Sequence, residues 1–373
     1  MNVVLNESTI TFEGLLNKCS KQLIEEDGKT LISYALATKN DGMLALSLLP
    51  YFALYCRSAQ EFFGKRVIDN EIDKQINDIR NGLKIYSGRY SKGKDATLYS
   101  DKQQNQIFKD MLRFSFMKSW NIHYNLGVYF DMEDHIIGDT QILNYFLNAS
   151  ATNVNVQKKH AFNVGKILGE KIAFILKDMC GVDSLTMKDE ISSCPRYGYR
   201  DFNTNRKSDF FNNSIDKEMN LIILHILSNI GFVQHILSSM LPKDNTWVFR
   251  IEYIVTHYAW SGLKKIKQHC DNDKIVNNKL TDDIKDLIDK GTALFPSDFR
   301  NCMMHYDLCN KGKTVIVEEK YNPEEPFYGL IGSCFEGKVY DEFASELRTY
   351  ILELERCLLS WFHVDIRKAK WDL

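Results

Sequence analysis

The chain has 373 residues, of which 44% are hydrophobic and 26% charged, and its formal net charge is -2. This length exceeds what one small core organises, so two helical lobes are the natural expectation. The near-neutral charge argues against a protein that coats nucleic acid by neutralising phosphates, although it is compatible with a local basic site.

The nine cysteines are scattered and contain no CxxC pair, which argues against a disulfide framework or a zinc site. We therefore expect reduced thiols, no metal and a cytoplasmic location. No signal peptide or membrane span is expected. Residues 43–55 are apolar but few and interrupted by Pro50, and residues 219–241 carry His225 and His235. We interpret 219–241 as a buried central helix and its two histidines as satisfied core residues.

Apolar residues at helical spacing predict a series of helices in the first half of the chain. The residues between 86 and 102 lose this periodicity. The segment 183–213, rich in Ser, Asn, Arg and Tyr, is predicted to be a linker or long functional loop. It separates an N-terminal helical domain of unknown role (1–182) from a C-terminal helical domain (214–373). The helices predicted before the linker are 11–26, 30–39, 42–65, 67–85, 103–120 and 157–180.

The second half continues with predicted helices at 214–241, 245–271, 281–294 and 297–308. Two short strands are then predicted at 314–317 and 327–335, which would form a β-hairpin inserted into the helical domain. A long amphipathic helix is predicted over 341–371. The expected fold class is therefore mainly α, with a C-terminal helical bundle that carries a small hairpin and a helical N-terminal lobe.

Residues 295–305, with the sequence FPSDFRNCMMH, carry the most informative motif. Pro296 and Ser297 predict a helix start with Ser297 as the N-cap. Arg300 then falls in the first turn, and Asn301 lies four residues before His305 on a shared face. A guanidinium, an amide and an imidazole would meet near a helix N-terminus, which also favours a phosphate.

This arrangement suits cleavage of RNA without a metal. The 2′-hydroxyl must lose a proton to attack the adjacent phosphorus, and the departing 5′-oxygen must gain one. An imidazole that titrates near neutrality can perform either transfer. A guanidinium neutralises the charge that develops on the non-bridging oxygens. With one such pair per chain, we expect two chains to meet at one site.

The six residues from Arg300 to His305 resemble the R-x(4–6)-H motif of the HEPN superfamily, including the polar residue after the arginine. The resemblance is one of sequence over these six residues. Over 214–373 it concerns only the expected helical architecture. It implies a helical bundle that dimerises into a metal-independent, cofactor-free ribonuclease cleft and leaves 2′,3′-cyclic phosphate and 5′-hydroxyl ends. Many members are toxins or antiviral effectors. Arg300 and His305 would be catalytic, and Asn301 would be the orienting polar residue.

Two other spans, 250–257 and 356–363, also run from an arginine to a histidine. An apolar residue or a cysteine follows each arginine, so we interpret both spans as structural. The same interpretation is open for the main motif, with Arg300 paired to an acid and His305 in the core. The chain would then be a non-catalytic helical interaction module or an antitoxin-like scaffold.

Two stretches are candidate RNA contacts. Residues 80–118 contain nine basic and three acidic side chains with interleaved tyrosines, and bases stack on such rings. Arg89, Lys92 and Lys94 represent this stretch, and Arg196 and Arg200 represent the second. The alternative is a solvated loop with extended basic side chains. The expected partners are RNA, a second copy of the chain and an unidentified regulator.

Overall fold

The computed structural model describes residues 11–64, 71–110, 112, 123–147, 154–184, 191, 195–242, 244–272, 278–309 and 313–371. The predicted helical residues 65, 67–70, 111 and 113–120 lie outside this set. The protein is mainly helical with a small four-stranded antiparallel sheet. The helices of the described residues are α1 (Phe12–Thr38), α2 (Gly42–Phe62), α3 (Glu71–Gly82), α4 (Tyr90–Asp110), α5 (Thr140–Leu147), α6 (Val154–Phe174), α7 (Lys217–Gly231), α8 (Thr246–Asn272), α9 (Asn278–Leu294), α10 (Ser297–His305), α11 (Leu330–Cys334) and α12 (Tyr340–Leu359).

Helix α1 is continuous where two helices were predicted with a break at Gly28. A Cβ at Gly28 would collide with the side chains of Tyr55 and Leu176. The glycine therefore permits close packing against α2 and does not end the helix. Helix α4 begins at Tyr90, inside the stretch without apolar periodicity. The periodicity is absent because small and polar residues such as Gly93 and Gln104 form the buried face of this helix.

The sheet has the strand order β2-β1-β3-β4. Strands β1 (Leu126–Phe130) and β2 (Ile136–Asp139) form a hairpin in the first half. Strand β3 (Gly198–Phe202) comes from the predicted linker, and β4 (Lys370–Trp371) lies at the end of the described chain. All neighbouring strands are antiparallel. The sequence does not predict this sheet, since strands this short show little alternation of apolar and polar residues.

The predicted hairpin at 314–335 is wrong. This segment contains two 3-10 turns, Glu318–Lys320 and Pro326–Gly329, followed by α11. Phe327 and Tyr328 both adopt left-handed backbone angles, with φ of 60° and 59°, which a strand cannot contain. The final predicted helix is also too long, because α12 ends at Leu359.

Helix α7 is the central helix that the sequence predicted. It continues through a π-helical turn, Phe232–Leu237, into the short stretch Ser238–Met240. The combined helix Lys217–Met240 is long and apolar enough to cross a membrane, but 78% of its most apolar window is buried inside the protein. This is compatible with the core helix of a soluble protein.

Helices from both sides of the predicted linker contact each other. Helix α1 packs on α8, and α2 packs on α10. The hydroxyl of Ser58 donates to the carbonyl of Met304 over 2.5 Å, which fixes α2 against α10. The buried apolar residues form one cluster that includes residues from both halves. The division into two domains stays a prediction, and the described contacts cross its boundary.

A buried ion pair joins three of these helices. Arg250 on α8 is 2% exposed and Asp27 on α1 is fully buried. The Arg250 Nε lies 2.9 Å from the Asp27 Oδ2, and one terminal nitrogen donates to the carbonyl of Met303 on α10 over 2.8 Å. The hydroxyl of Tyr306 donates to the same Asp27 oxygen over 2.6 Å. Burial raises the pKa of Asp27, and the charge of Arg250 opposes that rise.

Replacing Arg250 with methionine should lower the free energy of unfolding by about 3–5 kcal/mol, because it leaves the Asp27 charge buried without its partner. The measurement is urea unfolding followed by circular dichroism. The matched control is Lys290→Met, which removes an exposed pair with Glu353 and should leave the free energy of unfolding almost unchanged, because exposed ion pairs contribute little. An equal decrease in the free energy of unfolding in both variants would contradict the importance assigned to the buried pair.

Candidate active site around His305

The motif helix α10 is short and half-buried. It begins at Ser297, and Pro296 occupies the N-cap without a side-chain hydrogen bond, so the predicted Ser297 cap is wrong. It ends at His305, where the following residue adopts a left-handed conformation. The buried side chains of the helix are Phe299, Cys302, Met303 and Met304. Arg300, Asn301 and His305 therefore keep partial access to solvent.

His305 is held by a carboxylate from the other half of the chain. Its Nδ1 lies 2.9 Å from the Oε2 of Glu61, and the two side chains are 37% and 32% exposed. The hydrogen bond with His305 is the main cause that lowers the pKa of Glu61 to about 2, and Arg57, 2.7 Å away, adds to it. An ionised Glu61 only accepts, so the His305 Nδ1 donates to it. The His305 Nε2 is then the nitrogen available to a ligand.

Arg300 has no acidic partner among the described residues, so the expectation that it pairs with an acid is not met. One terminal nitrogen donates to the Oδ1 of Asn301 over 2.7 Å, and its Nε is buried without a hydrogen bond. The Nε of Arg80, from the end of α3, is also buried without a partner. Burial and then the charges of Arg80 and Arg300 lower the pKa of Lys84, and the charge of Glu61 opposes that fall. Lys84 therefore lies within the electrostatic influence of two other cations and of one carboxylate, and the excess of positive charge favours an anion.

His257 also lies within the electrostatic influence of Arg300. Its pKa is lowered to about 4, first by burial and then by the charges of Arg300 and Lys264. Its Nδ1 is buried without a hydrogen-bond partner. The residue was interpreted as structural together with Arg250. Arg250 is structural, and the ring of His257 packs against the rings of Trp260 and Phe295.

Arg300 and His305 do not share one face of α10. Five residues of an α-helix rotate the side chain by roughly 140° and advance it by about 7.5 Å. Asn301 contacts Arg300 and makes no hydrogen bond with His305 in the described structure. The site is completed by residues that the motif does not contain, above all Glu61, together with Arg80 and Lys84, which fell inside the predicted basic stretch.

The predicted RNA contacts lie on two separate surfaces. Arg89 and Lys92 are exposed and Lys94 is partly exposed around the start of α4. Arg196 is exposed before β3, and the guanidinium of Arg200 lies 4.7 Å from the centre of the Phe202 ring. Arg200 also lines a groove of about 350 Å³. That groove includes Tyr124, Arg206, Lys207, Lys368 and Lys370, and none of the residues around His305.

The two histidines interpreted as core residues differ in their surroundings. His225 is 1% exposed, as expected for a core residue, but it is only partly satisfied. Its Nδ1 bonds to the hydroxyl of Tyr86, while its Nε2 is buried without a hydrogen bond, 3.4 Å from the Oδ1 of Asp139. His235 is partly exposed and lies beside Asp131 and His135. Among the described residues, these three form the group whose ligand atoms are close enough to hold a metal ion. The spacing of histidines in the sequence predicts no metal site at His235. The fold nevertheless brings Asp131 and His135 next to it.

Comparison with protein-family models, with curated proteins and with solved structures gives no significant match for this chain. The resemblance to the HEPN superfamily therefore stays a prediction that rests on the six motif residues.

His257 should make stability depend on pH. Its folded pKa of about 4 is below the ordinary value of 6.5, so the unfolded chain binds the proton first as the pH falls. The free energy of unfolding should decrease from pH 6.5 to 4 in the wild type. This decrease should be smaller in His257→Phe, measured by urea unfolding across that range. Tyr258→Phe is the control, because burial raises the pKa of Tyr258 and it does not titrate there. The same slope in wild type and His257→Phe would refute the assignment.

Proposed function

We propose that the protein is a metal-independent endoribonuclease in which His305 and Arg300 act on the phosphodiester, as the HEPN resemblance implies. The observation that carries the proposal is the hydrogen bond between Glu61 and His305. It orients the imidazole and leaves the Nε2 available, near a group of cations that have no acidic partner among the described residues. Acid–base chemistry at a phosphate requires an imidazole nitrogen that can transfer a proton and positive charge that can neutralise the phosphate oxygens.

Each residue has a distinct role in this proposal. The Nε2 of one His305 accepts the proton of the 2′-hydroxyl while that oxygen bonds to phosphorus. The bond from phosphorus to the 5′-oxygen breaks, and an imidazolium returns a proton to that oxygen. Arg300 neutralises the non-bridging oxygens, and Arg80 and Lys84 hold the flanking phosphates. Glu61 is a positioning residue, since its carboxylate stabilises the imidazolium without touching RNA.

A homodimer supplies the second imidazole. The chain offers one His305, whereas the reaction needs one group that accepts a proton and another that donates one. Two copies that face each other across a two-fold axis would provide both. This arrangement also accounts for the separation of Arg300 and His305 on α10, because the guanidinium of one copy would face the imidazole of the other.

The cellular setting belongs to the same proposal. The eight cysteines among the described residues are all free, which fits a reducing, cytoplasmic compartment. The enzyme would act there as a toxin or an antiviral effector, under a regulator that contacts the N-terminal half. RNA would extend from the active site along Arg89, Lys92 and Lys94 or along the groove at Arg200.

Purified protein should cleave a mixed RNA pool in EDTA and leave 2′,3′-cyclic phosphate ends. His305→Ala and Arg300→Ala should each lower kcat/KM by about 10²–10⁴-fold, the usual contribution of such groups. Glu61→Gln should lower kcat by a smaller factor with little change in KM, because it affects only the orientation and charge of His305.

The chain provides a matched control in the arginine–histidine span 356–363. Arg356→Ala and His363→Ala alter exposed residues of a similar motif and should retain wild-type activity. Activity that survives His305→Ala would refute the site. Activity lost equally in His363→Ala would show that the changes act on the fold and not on the chemistry.

Arg80→Ala and Lys84→Ala should weaken RNA binding for every sequence alike, because phosphate contacts carry no base information. Each variant should reduce the slope of log K against log salt by roughly 1. Fluorescence anisotropy with a labelled single strand in EDTA measures both effects. Lys290→Ala, on an acidic surface, should leave the slope unchanged. An unchanged slope in both test variants would remove these residues from the RNA surface.

A second function is favoured by a different surface. A groove of about 810 Å³ between α9 and α12 is lined by four acidic side chains and Lys290. The acidic residues are Asp341, Glu342, Glu346 and Glu353. Such a groove suits a basic segment of a partner protein. If the folded wild type shows no cleavage, an interaction module that binds through this groove becomes the preferred function.

A further inference from the structure

A group of metal-binding side chains lies where the β1–β2 hairpin meets α7. Asp131 and His135 are in the turn between the two strands, and His235 lies in the π-helical turn that extends α7. Strand β2 packs directly on that π-helical turn. His235 thus meets two residues that lie at least 100 positions before it in the sequence. π-Helical turns inside α-helices are frequent at functional sites, because the extra residue changes the direction of the side chains.

The ligand atoms of these three residues all lie within 4.8 Å of one another. The Oδ1 of Asp131 accepts from the backbone N–H groups of Glu133 and His135, over 2.8 and 2.9 Å. Its Oδ2 therefore faces the two imidazoles. That oxygen is 2.7 Å from the Nδ1 of His135 and 3.8 Å from the Nδ1 of His235. The two imidazole rings are stacked, with their centres 3.8 Å apart.

A buried carboxylate contacts the second ring nitrogen of His235. The Oε1 of Glu355, on α12, lies 2.6 Å from the Nε2 of His235. Glu355 is 4% exposed. When ionised, this carboxylate keeps the hydrogen of His235 on its Nε2, so the Nδ1 lone pair points toward Asp131. Metal-binding histidines commonly donate their second nitrogen to a carboxylate in this way, which fixes the tautomer and the ring orientation.

We propose that Asp131, His135 and His235 bind one divalent transition-metal ion of the Zn²⁺ type, with water in the remaining position. Two imidazole nitrogens and one carboxylate oxygen are the donors that such ions prefer over Mg²⁺ and Ca²⁺. Bonds of about 2.0–2.2 Å would place neighbouring donor atoms about 3.3 Å apart in a tetrahedral site. This lies between the two distances around the Asp131 oxygen. The two stacked rings must turn out of their parallel arrangement on binding so that both Nδ1 lone pairs point at the ion. The side chains are 14–24% exposed, so the ion can enter from solvent.

The bound ion would act as a structural clamp. It would join the β1–β2 hairpin to α7 and, through Glu355, to α12. None of its ligands belongs to the cluster around His305, so the ribonuclease chemistry does not involve the ion. Assays of RNA cleavage in EDTA and assays of metal binding therefore test the two proposals independently.

The test is titration of EDTA-stripped wild-type protein with ZnCl₂, followed by calorimetry and by thermal unfolding. We expect one ion per chain and a rise in Tm, with no rise in MgCl₂ or CaCl₂. His235→Ala and Asp131→Asn should abolish both signals. Glu355→Gln should weaken affinity by about 10–100-fold, as changes of supporting carboxylates do. His363→Ala, an exposed histidine outside the cluster, is the matched control and should bind as the wild type does.

A measurement on the wild type alone guards against variants that fail to fold. Addition of CoCl₂ should produce visible absorption bands typical of nitrogen and oxygen ligands in a site of low coordination number, and ZnCl₂ should displace them. Absence of saturable Zn²⁺ binding in the wild type would overturn the proposal. So would a folded His235→Ala that binds Zn²⁺ with unchanged stoichiometry and affinity, because the ion would then lie elsewhere.

Discussion

The buried pair between Arg250 and Asp27 is the interaction on which the arrangement of the helices depends. Removing two charges from water is costly, and good geometry with further hydrogen bonds offsets part of that cost. Here one guanidinium contacts the carboxylate on α1 and the carbonyl of Met303 on α10, while one terminal nitrogen of Arg250 and the Oδ1 of Asp27 are buried without a hydrogen-bond partner. The ring of Tyr306 lies 4.1 Å from the guanidinium carbon, and its hydroxyl donates to the same carboxylate. Helices α1, α8 and α10 are thereby fixed relative to one another.

The position of α10 decides what surrounds His305. Once its buried face is anchored to Arg250 and Ser58, its last residue lies against the end of α2, where Glu61 accepts from the imidazole. The proposed catalytic site is consequently built from both halves of the chain. The first half supplies the carboxylate and two of the cations, while the second supplies the motif. A C-terminal fragment would carry the motif without the group that orients its histidine.

Irregular backbone determines the second proposed site. The π-helical turn at the end of α7 and the hairpin between β1 and β2 bring His235 next to Asp131 and His135. Helix α12 then supplies Glu355 from the opposite side. The small sheet therefore helps to place Asp131 and His135 next to His235. It holds one end of the hairpin against the central helix, and its strands come from three distant parts of the sequence.

The sequence by itself determined the helical class, the buried central helix at 217–240 and the helix that carries Arg300 and His305, because apolar periodicity is a local property of the chain. It did not determine the sheet, and it placed a hairpin where 3-10 turns occur, because Phe327 and Tyr328 adopt left-handed angles that their residue types do not encode. Only the tertiary structure decided that Glu61 holds His305 and that Glu355 holds His235. Both contacts join residues more than 100 positions apart, and no local pattern records which distant carboxylate the packing of the core brings to an imidazole.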